Sequence, residues 1–271
     1  MKKYIKPILL IIIYMVLQAV AGGIMAGILA ITNSEYLEAV NSGNAEAVAE
    51  AIPASYLAIS ILVSGILAVI IASVMKLINW KTVFSWDSKQ ASGAWLPLVA
   101  ALAGIFAITV LEEQLQLENT LEKEFTSMMH STIGILSISI FAPIIEELCF
   151  REALMGGMLR KGMKPWMAIG LSAAIFGLIH ANPVQIFGAA LIGIILGIIY
   201  YKSGNIILTT ILHIFNNSLA TFLAITFGMD ATLSDVMGST TICIVSGILC
   251  AIISIALFVR YWKYTENKDF E

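Results

Sequence analysis

Charge is what this sequence has least of. Of its 271 residues only 12% are Asp, Glu, Lys or Arg, about half the share in an ordinary soluble domain. That scarcity excludes a disordered chain and a nucleic-acid-binding module, which need high net charge or a basic face. With 15 Lys+Arg against 18 Asp+Glu, the net charge of −3 points to no polyanionic partner, and no nucleic acid is expected. Cysteine is scarce as well. Cys149, Cys243 and Cys250 form no CxxC pair, which excludes a disulfide scaffold and leaves them as small apolar residues. Internal repeats and low-complexity tracts are missing. What is abundant is hydrophobic side chain, at 59%, with a mean hydropathy of +0.91. The composition is that of an integral membrane protein.

A bilayer core of roughly 30 Å takes about 20 helical residues to cross. Candidate spans fall at residues 7–31, 53–78, 95–111, 132–159, 165–181, 184–201, 206–227 and 238–261. No ten-residue alternation of the kind a barrel needs is present. The expected fold is all-α: a polytopic bundle of about eight transmembrane helices forming one membrane domain over residues 1–271. Charge asymmetry supports that number. Lys2, Lys3, Lys6, Lys76, Lys81, Lys89, Arg160, Lys161, Lys164, Lys202, Arg260, Lys263 and Lys268 all fall at one end of the spans. The opposite loops carry Glu35, Glu38, Glu46, Glu50, Glu112, Glu113, Glu118, Glu122, Glu124, Asp230 and Asp235, with Lys123 as their only base. By the positive-inside rule both termini are cytoplasmic, which fits a bacterial plasma membrane. Ala19-Val20-Ala21 has the small residues of a signal-peptide cleavage site, but the apolar stretch runs on to Ile31, which favours a retained first helix. Gly23/Gly27 and Gly193/Gly197 have the spacing that lets membrane helices approach closely.

The fourth span contains Glu146, Glu147, Arg151 and Glu152. Each ionised group near the bilayer centre costs on the order of 3 kcal/mol on insertion scales, so four in one helix need a reason. Glu147 and Arg151 stand at i and i+4 in the favourable order for an ion pair. Glu146, about 100° further round, is then left available for chemistry. Two of the three histidines also lie in apolar segments: His180 closes Phe176-Gly177-Leu178-Ile179-His180, and His213 shares a helix face with Asn217. Counted along the helices, Glu146 and His180 lie roughly 21 Å and 24 Å from the basic end and His213 roughly 12 Å. A short or tilted fifth helix with a buried turn at Ala181-Asn182-Pro183 would bring them to one depth. Taken singly, the ion pair is compatible with packing, and His180, His213 and Asn217 with interhelical hydrogen bonding. Cys149 reads as packing and His130 as solvated. Paired acids, two histidines and an amide over three apolar helices read together as a site.

These segments resemble the type II CAAX prenyl endopeptidase (Abi) family, which includes bacteriocin-processing members. The family's Glu-Glu-x-x-x-Arg, Phe-x-x-x-His and His-x-x-x-Asn motifs read here as Glu146 to Arg151, Phe176 to His180 and His213 to Asn217, in the same order, within a core of about 131–228. The resemblance implies an eight-helix intramembrane endopeptidase acting on a peptide or protein substrate at the membrane, without a covalent intermediate. Glu146 would be the general base for water and His180 would help hold that water. His213 and Asn217 would donate to the oxyanion, and Glu147 with Arg151 would fix the local structure, Arg151 also being placed to contact substrate. Such chemistry is metal-free, with no cofactor. A zinc ion on Glu146, His180 and His213 is the mechanistic rival, although no His-Glu-x-x-His helix is present. The functional rivals are a non-catalytic membrane immunity or scaffold protein and a small transporter, the latter lacking the internal repeat expected of it.

Overall fold

The computed structural model describes residues 2–84, 93–265 and 270; Lys89 and Lys268 lie outside them. A backbone withdrawn from water must bond to itself, and among the described residues the apolar runs accordingly form eight helices. These are α1 (Ile5–Thr32), α2 (Ala54–Val74), α3 (Trp95–Leu115), α4 (Thr132–Leu159), α5 (Pro165–Leu178), α6 (Pro183–Ser203), α7 (Ile206–Phe227) and α8 (Thr240–Tyr264). Seven are long and apolar enough to cross a membrane. The exception is α5, whose 14 residues reach about 21 Å, short of the bilayer core.

Contacts between loops identify the two ends of the bundle. At the basic end, Arg160 Nη2 donates to the Leu77 carbonyl and Lys202 Nζ to that of Trp262. At the acidic end, Lys123 bridges Glu46 and Glu50, and the Glu113 carboxylate accepts from the backbone of Leu233 and Ser234. The α5–α6 turn belongs to the acidic end and is sunk into it. Asn182, 1% exposed, accepts from the Thr120 N–H at 3.0 Å and donates to Asn119 Oδ1 at 2.9 Å. Ala181 beside it has φ +52°, a strained position for a residue with a Cβ. Those two hydrogen bonds hold the turn, and the brevity of α5 follows.

Packing pairs α1 with α2, α3 with α8 and α5 with α6, while α4 touches α1, α2, α5 and α7. As the most deeply buried of the seven spans, α4 is the axis of the bundle. Between α5 and α6, Gly193 and Gly197 meet Ala173 and Ile169 at close range, so this pair admits the neighbouring helix as expected. Gly23 and Gly27 face open space instead; spacing alone does not tell which face of a helix meets a neighbour.

α4 is not a uniform α-helix. It widens to π-helical turns over Ser137–Phe141 and Glu147–Gly156, a form that recurs at functional sites. Pro143 supplies a local cause for the first, because its ring would clash with the carbonyl four residues back in an α-helix. In the wider register the Ala142 N–H bonds to the Ser137 carbonyl. The next bond would need an N–H from Pro143, which has none, so the Ile138 carbonyl is left over.

Candidate active site

Asn217 takes that left-over carbonyl: its Nδ2 donates to Ile138 O at 3.0 Å, and its Oδ1 accepts from Asn216 at 3.1 Å. One hydrogen of the Asn217 amide remains for a further acceptor. One turn earlier on α7, His213 is 4% exposed and lies against both acids of the Glu-Glu pair. Its Nδ1 is 3.1 Å from Glu147 Oε1 and its Nε2 is 3.6 Å from Glu146 Oε2. The first is a hydrogen bond. The second is longer than a direct bond and suits two groups facing one small shared ligand such as water.

The two glutamates divide as the spacing predicts. Glu147 is fully buried and faces Arg151 Nε at 3.4 Å, the i,i+4 relation surviving the wider turn, with the Thr209 hydroxyl beside the same carboxylate. Glu146 keeps 14% of its side chain exposed, and it lines a cavity of about 540 Å³ shared with His180, His213 and Asn217. Glu146, His180, His213 and Asn217 thus line one cavity.

Phe176 holds these groups in place. The Arg151 guanidinium lies 4.5 Å over its ring centroid, a cation–π contact strengthened by burial. Both imidazoles meet the same ring edge to face, His180 at 4.9 Å and His213 at 5.7 Å between centroids. His180 Nδ1 lies 2.7 Å from the Phe176 carbonyl. Only a protonated Nδ1 can make that bond, so neutral His180 keeps the lone pair on Nε2 as an acceptor. Arg151 is 1% exposed, and none of its three nitrogens has a hydrogen-bond partner among the described residues. Its charge is answered by Glu147 and the Phe176 ring.

The cavity extends toward the acidic end, where Asn119, Leu121, Phe125 and Met229 line it. None of its lining residues comes from the loops of the basic end. On that side, below Glu146, fully buried Phe150, Leu154 and Met155 close the bundle. Among the described residues no three His, Cys, Asp or Glu side chains are grouped to hold a metal ion.

Sequence reasoning missed three contributors. Tyr14 and Gln18 of α1 line the cavity; their i,i+4 spacing in an apolar run was the available signal. Glu112 also lines it. It was expected in a loop after a span ending at Leu111, but α3 continues one turn to Leu115 and carries Glu112 and Glu113 inside the bundle. The fourth ionisable residue of the α4 cluster, Glu152, lies apart from the site. It accepts from the Tyr200 hydroxyl, Arg160 Nη1 at 2.9 Å and the Asn79 N–H at 3.1 Å.

Residues 128–219, which carry all three motifs, match the family model described as type II CAAX prenyl endopeptidase Rce1-like. Those residues form an Rce1-like domain, which supports a membrane endopeptidase of the CAAX-protease type, and the seven long apolar helices fit an integral multi-pass membrane protein. No curated protein and no solved structure matches the chain.

Proposed function

We propose that the chain hydrolyses a peptide bond of a membrane-associated substrate with water activated by Glu146. The observation that carries this reading is the shared cavity, in which a partly exposed carboxylate and the unprotonated Nε2 of His180 face the same space as His213 and Asn217. Glu146 takes the proton as water attacks the carbonyl carbon, and later gives it to the leaving amine. The oxyanion is met by the remaining Asn217 N–H and by His213 Nε2 when that nitrogen carries a proton, Nδ1 being committed to Glu147. Fixed donors in a water-poor cavity stabilise developing charge better than solvent does. Glu147, Arg151 and Phe176 act as positioning residues.

The positive-inside rule places the basic end in the cytoplasm, so the cavity is approached from the extracytoplasmic side. In a bacterial plasma membrane that side suits maturation of an exported peptide or self-protection against a bacteriocin. A cysteine replacing exposed His130, in a background without the three native cysteines, should react with an impermeant maleimide on intact cells. Protection until lysis would reverse the topology.

The deciding experiment is comparative peptidomics of cells carrying wild type or Glu146→Gln at matched membrane levels. A cleaved peptide present only with wild type is the expected result. Identical peptide profiles with a shared phenotype would transfer the protein to the immunity or scaffold reading. Cleavage should survive a zinc chelator; loss that added zinc restores would move the chemistry to a metal on Glu146, His180 and His213.

A further inference from the structure

Two adjacent acids end α3, and the fold uses only one. Glu113 accepts from the Leu233 and Ser234 backbone and from Ser234 Oγ, pinning the loop before α8. Glu112 lines the cavity yet has no hydrogen-bond or ion-pair partner among the described residues. A carboxylate held within a membrane-spanning segment without a partner is costly, and its surroundings are shaped to admit it. Gly188 of α6 faces it, and a Cβ there would collide with the Glu112 carboxylate. Thr109, one turn earlier on α3, lines the same space. So does Gln185, at i−3 from Gly188 on α6, which likewise makes no hydrogen bond among the described residues. The other titratable groups around the cavity are Tyr14, Glu146, His180 and His213; no Lys or Arg lines it. The cavity thus holds an unpartnered carboxyl group beside a free amide, surrounded by apolar side chains such as Leu121, Phe125 and Ile192.

We propose that Glu112 is a specificity-determining residue that binds a cationic nitrogen of the substrate peptide, a Lys or Arg side chain or a free α-amine, with Gln185 beside it and an apolar stretch of the peptide filling the rest. A charged donor entering this cavity meets an acceptor with no competing partner among the described residues, and a charge-assisted hydrogen bond between them is among the stronger kinds. The inference rests on reading the cavity as the substrate site, and it does not depend on hydrolysis.

The test is therefore made by binding. The full chain carrying Glu146→Gln, in nanodiscs of zwitterionic lipid, is titrated with fluorescent twelve-residue Leu/Ala peptides. Each is acetylated and amidated and carries one Lys at a successive position, with norleucine at the same position as the uncharged control. One or two Lys positions should bind about tenfold tighter than their controls. A norleucine peptide with a free amine binding tighter than its acetylated form would assign the cation to the α-amine. Adding Glu112→Gln should bring the ratio to near one, and Glu112→Lys should turn the preference toward a Glu-bearing peptide. Gly188→Ala, which crowds the carboxylate, should weaken the Lys preference. Equal binding of Lys and control peptides at every position with no amine effect, no binding of any peptide, or a preference untouched by Glu112→Gln would each overturn the proposal. A Lys preference in a wild-type chain that cleaves nothing would sink the hydrolysis reading and leave Glu112 in its role. Cleavage without any such preference would do the reverse.

Discussion

Glu147 and Glu152 are buried carboxylates five residues apart on α4, and they are held in opposite ways. Glu152 receives three donors, from Tyr200, Arg160 and the Asn79 backbone, which joins α4, α6 and the loop after α2 at the basic end. Glu147 receives a hydrogen bond from His213 and faces Arg151, while its Oε2 has no hydrogen bond among the described residues. Three donors reaching both oxygens make a joint, because they tie the carboxylate to three separate segments and leave it little capacity for anything else. Incomplete satisfaction leaves field and bonding capacity directed at neighbours, as a reaction site requires. The nearby Glu146, partly exposed to the cavity, lies furthest toward the reactive extreme.

The comparison is broken most severely at the joint. Glu152→Ala removes the acceptor of three donors and strands the Arg160 charge, a loss of about 4 kcal/mol on the scale of broken buried pairs. The expected readout is little folded protein in the membrane and a shifted peak in fluorescence-detected size exclusion. Normal yield would mean that the Glu152 carboxylate is not structural. Arg151→Ala comes next, at about 3 kcal/mol, since Glu147 would keep only the His213 hydrogen bond. Here activity should fall together with folded protein, whereas Glu146→Gln should keep the protein and lose cleavage. Equal loss of protein in Arg151→Ala and Glu146→Gln would erase the separation between holding and reacting groups.

How far this division could be read from sequence depends on what each signal encodes. Apolar length gave the eight helices, because backbone hydrogen bonding in a bilayer leaves little alternative. Motif spacing picked out Glu146, His180, His213 and Asn217, which line one cavity, and Glu147 and Arg151, which are buried beside it, and charge asymmetry sorted the loops into ends. Azimuth was not legible. Nothing in the composition of α4 separates Glu152 from Glu147, because their partners Tyr200, Arg160 and His213 arrive from elsewhere in the chain. Glu112 was hidden by the habit of ending a span at its first charge, although a helix can continue when its carboxylate finds a cavity. The capture of the Ile138 carbonyl by Asn217 depends on Pro143 and a widened turn, a coincidence of two helices that periodicity in either one does not reveal.

A milder break of the joint is Tyr200→Phe. It removes one donor from Glu152 and keeps Arg160 and Asn79, so about 1–2 kcal/mol should be lost, with cleavage unchanged because Tyr200 does not line the cavity. Thermal melts of the detergent-solubilised chain would show a lower midpoint than wild type. A loss as large as that of Glu152→Ala would mean that the hydroxyl, and not Arg160, is the dominant partner.

The smallest effect belongs to the exposed counterpart of these pairs, where Lys123 bridges Glu46 and Glu50 across the acidic end. The hydrogen bond and charge of Lys123 hold the Glu46 carboxyl below its ordinary 4.5, and the hydrogen bonds to Glu46 and Glu50 raise the Lys123 ammonium above 10.5. A lowered acid stabilises the fold above its ordinary value and loses that contribution as pH falls through the lowered one. A raised base stabilises below its ordinary value and loses it as pH rises through the raised one. Between pH 4.5 and 10.5 the clasp is therefore complete, but water and salt screen it. Lys123→Ala should leave the melting midpoint at neutral pH and physiological salt where wild type has it, and should abolish any extra stability that low salt confers. A drop matching that of Tyr200→Phe would show that a solvent-exposed bridge counts for as much as a buried hydrogen bond, and burial could then no longer be what separates the joint of α4 from the loops.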